Sequence, residues 1–335
     1  MKNLNVAILG ATGLVGRTFI KVLEERSFPV SNLKLLASER SSGTVLSFRG
    51  EDIKVEKMTL DSFKGIDIAL FSAGSSISKE IAKEAASMGT TIIDNSSAWR
   101  MEPDVPLVVP EVNPGDIEFH HGIIANPNCS TIQMVVALAP IHSINPIQRV
   151  IVSTYQATSG AGAAGLKEML DQTNEFVSGS PIEPNYFPHQ IVLNAIPQID
   201  SFQENDYTGE EMKLVNETKK ILHSNDIKIS ATAVRIPVAT AHSESIHIEL
   251  SQPFTAEAAT KILNSAPGIT IIDNPTKLEY PMAINVAGQD QVFIGRIRED
   301  LAFKNGLAMW VVADNIRKGA ATNAVQIAEL VAKLI

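Results

Sequence analysis

The chain has 335 residues, of which 44% are hydrophobic and 19% charged, so its length and composition predict about two folded domains and exclude a disordered chain. Its 28 basic and 37 acidic residues leave a net charge of -9 without any basic run, which argues against a nucleic-acid partner. The single cysteine, Cys129, excludes an intramolecular disulfide, and with seven scattered histidines it predicts no zinc site.

The first residues, Met1 to Leu4, carry one positive charge and lead into an apolar stretch too short for a signal peptide. No apolar run approaches the ~20 residues that a membrane helix requires. We therefore expect a soluble, cytoplasmic protein that does not act at a membrane.

The N-terminal third alternates between strand and helix patterns. Apolar runs predict buried strands at residues 6–9, 33–36, 66–71 and 91–93, while helical spacing predicts a helix after the first strand and another at 81–88. Gly89 ends that second helix. Strands and helices that alternate in this way indicate a doubly wound parallel sheet of the Rossmann type, and hence an α/β fold class.

The pattern changes after about residue 126. A wholly apolar stretch at 132–138 predicts a buried helix, a small-residue loop is expected at 160–165, and helices are expected at 167–176 and 321–335. Strands are expected at 150–154, 227–238 and 245–250, and in the last of these polar and apolar residues alternate. The C-terminal helix has an apolar side formed by Ala324, Val325, Ala328, Val331 and Leu334. Together these features predict an α+β domain with a mostly antiparallel sheet.

A glycine-rich turn, Gly10-Ala11-Thr12-Gly13-Leu14-Val15-Gly16, joins the first strand to the first helix. In a dinucleotide-binding turn, Gly10 would allow the sharp bend, Gly13 the approach of phosphate, and Gly16 the close packing of helix on sheet. The spacing is G-x-x-G-x-x-G and meets the usual fingerprint only in part. An ordinary tight turn is therefore the alternative.

The end of the second strand bears on the choice between NAD and NADP. The segment Ser38-Glu39-Arg40-Ser41-Ser42 contains a cation suited to the 2′-phosphate of NADP and a carboxylate suited to the ribose hydroxyls of NAD. We favour NADP. For Glu39 in particular, a solvated loop is the alternative.

Cys129 stands in Asn126-Pro127-Asn128-Cys129-Ser130-Thr131, just before the predicted buried helix. A helix N-terminus stabilises a thiolate and lowers the pKa of the thiol, so Cys129 is a candidate nucleophile. The alternative is a small buried apolar residue, but the flanking cap and turn residues favour the nucleophile. His242, in a loop expected between two strands, is one of several candidates for its base.

Several segments in series carry a family resemblance. Ser96-Ser97-Ala98-Trp99-Arg100-Met101, the cysteine segment, Gln156-Ala157-Thr158-Ser159-Gly160-Ala161-Gly162, and Arg235-Ile236-Pro237-Val238 with His242 all stand in one order after the glycine turn. The chain thereby closely resembles the aspartate-semialdehyde dehydrogenases over essentially its whole length. The glycine turn alone is weak evidence, whereas the later segments in series are specific.

The resemblance implies roles for the candidate catalytic residues. Cys129 resembles the nucleophile and His242 the acid/base, while Gln156 would orient the substrate beside the thiol. Arg235 resembles the residue whose guanidinium binds the substrate α-carboxylate, which suits its forked geometry.

Two charged residues three apart, Glu210 and Lys213, share one face of a predicted helix. By resemblance Glu210 contacts the substrate ammonium, and Lys213 joins Arg100 at the phosphate. Glu211 stays an alternative to Glu210. Without the resemblance, this helix would be interpreted as a solvated charged face.

The resemblance also implies the cofactor contacts and the domain plan. The chain would comprise an NADP-binding domain at 1–127, to which a helix at 315–335 returns, and a catalytic and dimerisation domain at 128–314. A homodimer is expected. The cofactor contacts would be Gly10, Thr12, Gly13, Leu14, Val15, Ser38, Arg40, Ser41, Ser72, Ala73, Gly74, Ser159, Gly160 and Asn315.

The implied reaction is the NADPH-dependent reductive dephosphorylation of β-aspartyl phosphate to aspartate semialdehyde through a Cys129 thioester, in lysine, threonine and methionine biosynthesis. One alternative is a related acyl-phosphate reductase such as N-acetyl-gamma-glutamyl-phosphate reductase, which lacks the ammonium-binding carboxylate. Another is a non-catalytic dinucleotide sensor, which would need neither Cys129 nor His242.

Overall fold

A computed structural model describes residues 3–335, so Met1 and Lys2 of the expected first domain and N-terminal segment lie outside the described residues. The chain forms two compact units. The first unit comprises the described residues up to Asn128 together with Ala320–Ile335, and the second comprises Cys129–Gly319. Among residues 3–335, no helix combines the length and the apolar character needed to cross a bilayer.

The first unit is built on a six-stranded parallel sheet. Its strands follow the order β5-β2-β1-β6-β7-β8, and a separate hairpin pairs β3 with β4. The strands are β1 (Leu4–Leu9), β2 (Val30–Ala37), β3 (Val45–Phe48), β4 (Glu51–Lys54), β5 (Glu56–Lys57), β6 (Ile68–Phe71), β7 (Thr91–Asp94) and β8 (Ile123–Ala125). The helices in this part are α1 (Leu14–Glu25) and α2 (Ser75–Ser87). The parallel sheet with its crossover helices confirms the Rossmann-type prediction.

The second unit is built on a six-stranded mixed sheet in the order β10-β9-β11-β14-β13-β12. The three central pairings are antiparallel and the two outer ones parallel, which agrees with the predicted α+β, mostly antiparallel domain. The helices are α3 (Cys129–His142), α4 (Gly162–Ser178), α5 (Gly209–Ile221), α6 (Ala256–Ser265) and α7 (Ala283–Val286). The strands are β9 (Ile147–Gln156), β10 (Lys228–Arg235), β11 (His242–Leu250), β12 (Ile269–Ile271), β13 (Val292–Glu299) and β14 (Gly306–Ala313).

The chain ends in a π-helical turn, Arg317–Ala321, followed by α8 (Thr322–Val331). Four of the predicted apolar positions of α8 lie in the core of the first unit, and Asn323 Nδ2 donates to Val108 O at 3.0 Å and to Asn126 Oδ1 at 2.7 Å. The prediction for Leu334 is wrong: α8 ends before it, and 54% of its surface is exposed.

Two predicted boundaries are wrong for identifiable reasons. Residues 162–165 form the first turn of α4 and not a loop, because a helix can begin with Gly and Ala that carry no apolar periodicity. The second helix begins at Ser75 and not at residue 81, since its first turn is polar. The hairpin of β3 and β4 was not predicted, because strands of four residues give too short a pattern.

Candidate active site

The glycine turn of the first unit leaves backbone exposed to a ligand. Gly10 has φ +83°, and a Cβ at this position would lie 2.5 Å from the carbonyl oxygen of Ser72. Gly13 immediately precedes α1 and has no side chain to cap it, so the first N–H groups of α1 are open to an anion. This cradle fits the pyrophosphate of a dinucleotide.

A cavity of about 440 Å³ adjoins this turn. Eight of the residues predicted to bind the cofactor line it, namely Gly10, Thr12, Gly13, Ser38, Arg40, Ser41, Ser72 and Ala73. Leu14 and Val15 lie in the first turn of α1, and Gly74 immediately precedes α2. The first unit thus brings together most of the predicted cofactor residues.

Two cations, Arg40 and Lys57, line the cavity together with the carboxylate of Glu39. Lys57 Nζ lies 2.8 Å from Glu39 Oε2. The hydrogen bond and charge of Lys57 lower the pKa of Glu39. The sequence does not predict Lys57 as a site residue, because it lies in β5, a strand of only two residues.

In the second unit, Cys129 is the first residue of α3 and its Sγ lies 3.3 Å from Nε2 of His242. Gly319 packs against Cys129, since a Cβ added at Gly319 would lie 2.8 Å from the Cβ of Cys129. His242 is not in a loop as expected. It is the first residue of β11, where it pairs with Ala313 of β14, and it is fully buried.

The imidazole of His242 is held from its other side. The backbone N–H of Ala157 donates to Nδ1 at 3.0 Å. Burial lowers the pKa of His242 to about 3, with a further contribution from the positive charge of Arg235 and a smaller opposing one from Glu210. His242 is therefore neutral at physiological pH.

Gln156, the last residue of β9, has its side-chain amide oriented by a neighbour. Thr154 Oγ1 donates to Gln156 Oε1 at 2.9 Å, so the amide nitrogen faces the other site residues. Gln156 Nε2 donates to Glu210 Oε1 at 3.0 Å and lies 3.4 Å from His242 Nε2. The sequence does not predict the contribution of Thr154, because alternation places it on the face of Gln156 without showing what it contacts.

The two acidic residues at the start of α5 have different surroundings. Glu210 accepts from Ser130 Oγ at 3.3 Å and lies with its Oε2 3.2 Å from Lys213 Nζ. Glu211 forms a capping box with Thr208. Glu210 is thus the carboxylate that contacts the other site residues, while Glu211 stabilises the helix N-terminus.

Lys213 also lies 2.9 Å from Asp200 Oδ2. Burial alone would lower the pKa of Lys213, but the charges of Glu210 and Asp200 outweigh burial and raise it. Arg100, the other predicted phosphate ligand, is buried in the first unit, where its Nη2 donates to Asn95 O at 2.9 Å. Each predicted phosphate ligand therefore lies in a different unit.

Arg235 is buried at the end of β10, and its Nη1 donates to Ala157 O at 2.7 Å. Burial lowers the pKa of Arg235, and the negative charge of Glu210 partly offsets this decrease. Gly160 lies against this group, since a Cβ there would be 2.9 Å from Arg235 Nη1 and 3.0 Å from His242 Cε1. The glycine keeps this face of the site open.

The remaining predicted cofactor contacts lie in the second unit. Asn315 Nδ2 donates to Ser159 Oγ at 3.0 Å, and Asn315 Oδ1 accepts from the N–H of Ala241 at 2.9 Å. The second of these bonds holds Ala241, the residue before His242. Ala241 has a φ of +75°, which is unusual for alanine.

Two family models match the chain. One, described as semialdehyde dehydrogenase, NAD binding domain, matches residues 5–120, and the other, described as semialdehyde dehydrogenase, dimerisation domain, matches residues 138–318. Fold, site and matches define the class of the semialdehyde dehydrogenases, oxidoreductases that use a nicotinamide dinucleotide.

Individual relatives extend the match over the whole chain. Aspartate-semialdehyde dehydrogenase of Aquifex aeolicus is 60% identical over 98% of both chains. The crystal structure of aspartate semialdehyde dehydrogenase II of Vibrio cholerae, complexed with ASA, has a TM-score of 0.97 and 48% identity, covering 99% of both chains. That of the Candida albicans enzyme with NADP has a TM-score of 0.76 and 26% identity over 98% of both chains. The chain belongs to the aspartate-semialdehyde dehydrogenase family.

Proposed function

We propose that the chain reduces β-aspartyl phosphate to aspartate semialdehyde and phosphate with NADPH as reductant. The observation that carries the proposal is the 3.3 Å contact between Cys129 Sγ and His242 Nε2, at the N-terminus of a buried helix. A thiolate in this place is stabilised by the helix dipole and by the nearby guanidinium of Arg235. Relatives named aspartate-semialdehyde dehydrogenase, which match nearly the whole chain, support the reaction.

Cys129 acts as the nucleophile. Its sulfur forms a bond to the acyl carbon, and the bond from that carbon to the phosphate oxygen breaks with its electron pair leaving on phosphate, so that a thioester remains. A bound nicotinamide cofactor would supply the hydride that reduces the thioester carbon. The carbon–sulfur bond then breaks with its electron pair leaving on sulfur, which releases the aldehyde and restores the Cys129 thiolate. Gln156 orients the acyl group, and the imidazole of His242 assists the reaction from within hydrogen-bonding distance of the thiol.

Charged side chains in the second unit suit an amino acid substrate. Arg235 would bind the α-carboxylate and Glu210 the ammonium group, while Lys213 and Arg100 are each proposed as ligands of phosphate. N-acetyl-gamma-glutamyl-phosphate reductase would act on a substrate whose amine is acylated and uncharged. The buried carboxylate of Glu210 favours the free ammonium over this alternative.

NADP is the proposed dinucleotide. Arg40 and Lys57 both line the cavity, and its single lining carboxylate, Glu39, is already paired with Lys57. Such a pair of cations suits a 2′-phosphate. The NADP complex of the Candida albicans relative supports the same choice.

The domain plan follows from these roles. Residues 1–127 with the returning helix at 315–335 form the NADP-binding domain, and residues 128–314 form the catalytic and dimerisation domain. The match to a dimerisation domain supports a homodimer. The cytoplasmic location stays a prediction.

Replacing the nucleophile tests the proposal. Cys129→Ala should lower turnover with aspartate semialdehyde, NADP and phosphate by at least about a thousand-fold, because the thioester cannot form. Melting temperature and NADP binding should stay near those of the wild type. Near-normal turnover in this variant would contradict the proposal and leave Cys129 as a small apolar residue.

A further inference from the structure

The two ring nitrogens of His242 have different partners. We infer that the backbone N–H of Ala157 holds His242 in the tautomer protonated on Nε2, so that His242 donates a hydrogen bond to the Cys129 sulfur and does not remove its proton. Ala157 is thus a positioning residue through its main chain. The inference deepens the proposed function. The tautomer itself does not depend on the substrate, but its use in the reaction rests on the proposed function.

The tautomer follows from the direction of one hydrogen bond. The N–H of Ala157 lies 3.0 Å from Nδ1, and a backbone N–H can only donate. Nδ1 must therefore present its lone pair, and the single proton of a neutral imidazole lies on Nε2. Ala157 is itself fixed, because it is fully buried and its carbonyl accepts from Arg235 Nη1 at 2.7 Å.

A second contact at Nε2 does not alter this assignment. Gln156 Nε2 lies 3.4 Å from His242 Nε2, but its shorter hydrogen bond, of 3.0 Å, goes to Glu210 Oε1. The Gln156 amide already donates to Glu210, whereas the N–H of Ala157 can only donate, and it donates to Nδ1. The backbone contact therefore decides which nitrogen carries the proton, and Nε2–H faces Cys129 Sγ at 3.3 Å.

An imidazolium would require a proton on Nδ1 as well, pointing directly at the N–H of Ala157. Cys129 of α3 contacts the ring, and the charges of Glu210 on α5 and Arg235 on β10 act on it. On the ring's own strand, β11, Glu244 is buried two residues further on. Burial is the largest influence on the ring, and the charge of Arg235 acts in the same direction against a second proton. A thiolate at Cys129 is therefore stabilised by the α3 N-terminus and Arg235, without an imidazolium partner.

The assignment changes the part that His242 takes in the reaction. When the Cys129 sulfur donates its electron pair to the acyl carbon, the pair of the C=O bond moves to the carbonyl oxygen. A fixed Nε2–H can donate to the sulfur before this step and to the oxygen during it, with no change in the protonation of His242. Neither step oxidises or reduces a group of the protein.

The tautomer can be observed directly in the wild-type protein with ¹⁵N-labelled histidine. The chain has seven histidines, so the two ring resonances of His242 are assigned as those lost in His242→Gln. We expect an unprotonated Nδ1 and a protonated Nε2 from about pH 6 to 9. A proton on Nδ1, alone or as part of an imidazolium, would overturn the inference.

Alkylation of the thiol by iodoacetamide provides a second test, since Cys129 is the chain's sole cysteine. His242→Gln keeps an N–H donor but cannot accept a proton, and His242→Ala removes the donor. We expect the midpoint of the pH–rate profile to stay within about half a unit of wild type in His242→Gln and to rise by about one to two units in His242→Ala.

Equal upward shifts in both variants, or no shift in either, would contradict donation from Nε2. His247→Gln is the matched control, because it makes the same change on the same strand at a partly exposed position, and it should leave the profile unchanged. Neither test needs a substrate. A failure of the proposed substrate assignment would therefore leave both outcomes unaffected.

Discussion

At the scale of single residues, Glu244 is a buried carboxyl that the proposed chemistry does not use. It lies two residues after His242 on β11 and is fully buried. Neither of its oxygens has a well-formed hydrogen bond among the described residues. Burial raises the pKa of Glu244 well above its ordinary value, and the nearby Gln133 amide offsets this only in part. Glu244 is therefore a neutral acid over part of the pH range in which an ordinary carboxyl is ionised.

This shift makes stability depend on pH in a definite direction. The folded-state pKa of Glu244 is raised above its unfolded value. The contribution of this group to the stability of the folded protein is therefore fully present below about pH 4.5 and is lost as pH rises toward the folded pKa. Glu244→Gln carries a neutral group that does not titrate. We expect the melting temperature of this variant, relative to wild type, to increase as pH rises above about 5 in thermal melts.

The matched control for this prediction is Glu249→Gln on the same strand, whose carboxylate is partly exposed and paired with Arg149. Its melting temperature relative to wild type should not rise with pH. A flat difference for Glu244→Gln would show that Glu244 is ionised in the folded protein.

At the scale of elements, apolar runs predict β1, β7 and α3 well because burial on every side leaves a continuous apolar pattern. The pattern fails where polar or small residues begin a helix, as at the first turns of α2 and α4. The type of each long element is therefore predictable from the sequence, whereas its first turn depends on packing that the local pattern does not contain.

The turn between β1 and α1 yields a steric prediction. Gly10→Ala should weaken NADP binding and lower the free energy of unfolding, because its new Cβ would collide with the Ser72 carbonyl at 2.5 Å. Gly50→Ala is the control, since Gly50 has a similar φ of +81° and open space around it. The cost at Gly10 should exceed that at Gly50 by at least about 1 kcal/mol, measured by urea unfolding. Equal costs and unchanged NADP affinity would contradict a cradle that requires glycine.

The two glutamates in the first turn of α5 give separate predictions, one for activity and one for stability. Glu211→Ala removes the capping box and should lower stability by about 1–2 kcal/mol with little effect on kcat/KM. Glu210→Ala should lower kcat/KM for aspartate semialdehyde by roughly ten- to a hundred-fold, because the proposed ligand of the substrate ammonium is lost. If Glu211→Ala proved the more damaging to kcat/KM, the assignment of the ammonium ligand would be reversed.

At the scale of the whole molecule, the candidate site joins residues that are distant in sequence. Cys129 and His242 are 113 positions apart, and Gln156 and Glu210 are 54 apart. Spacing alone leaves His242 as one histidine among seven, because no periodicity shows which strands become neighbours. The order of strands in the mixed sheet, and the return of α8 to the first unit, likewise arise from long-range packing. From the sequence, only the family resemblance indicates that these residues form one site.

The most direct measurement of the proposed function is the initial rate of NADP reduction with aspartate semialdehyde, with and without phosphate, beside the same assay with N-acetyl-glutamate semialdehyde. We expect rapid NADPH formation only when aspartate semialdehyde and phosphate are both present. The rate with NAD should be at least roughly tenfold lower, because the proposal places the 2′-phosphate beside Arg40 and Lys57. A rate that is independent of phosphate, or that is higher with the N-acetylated aldehyde, would contradict the proposed function.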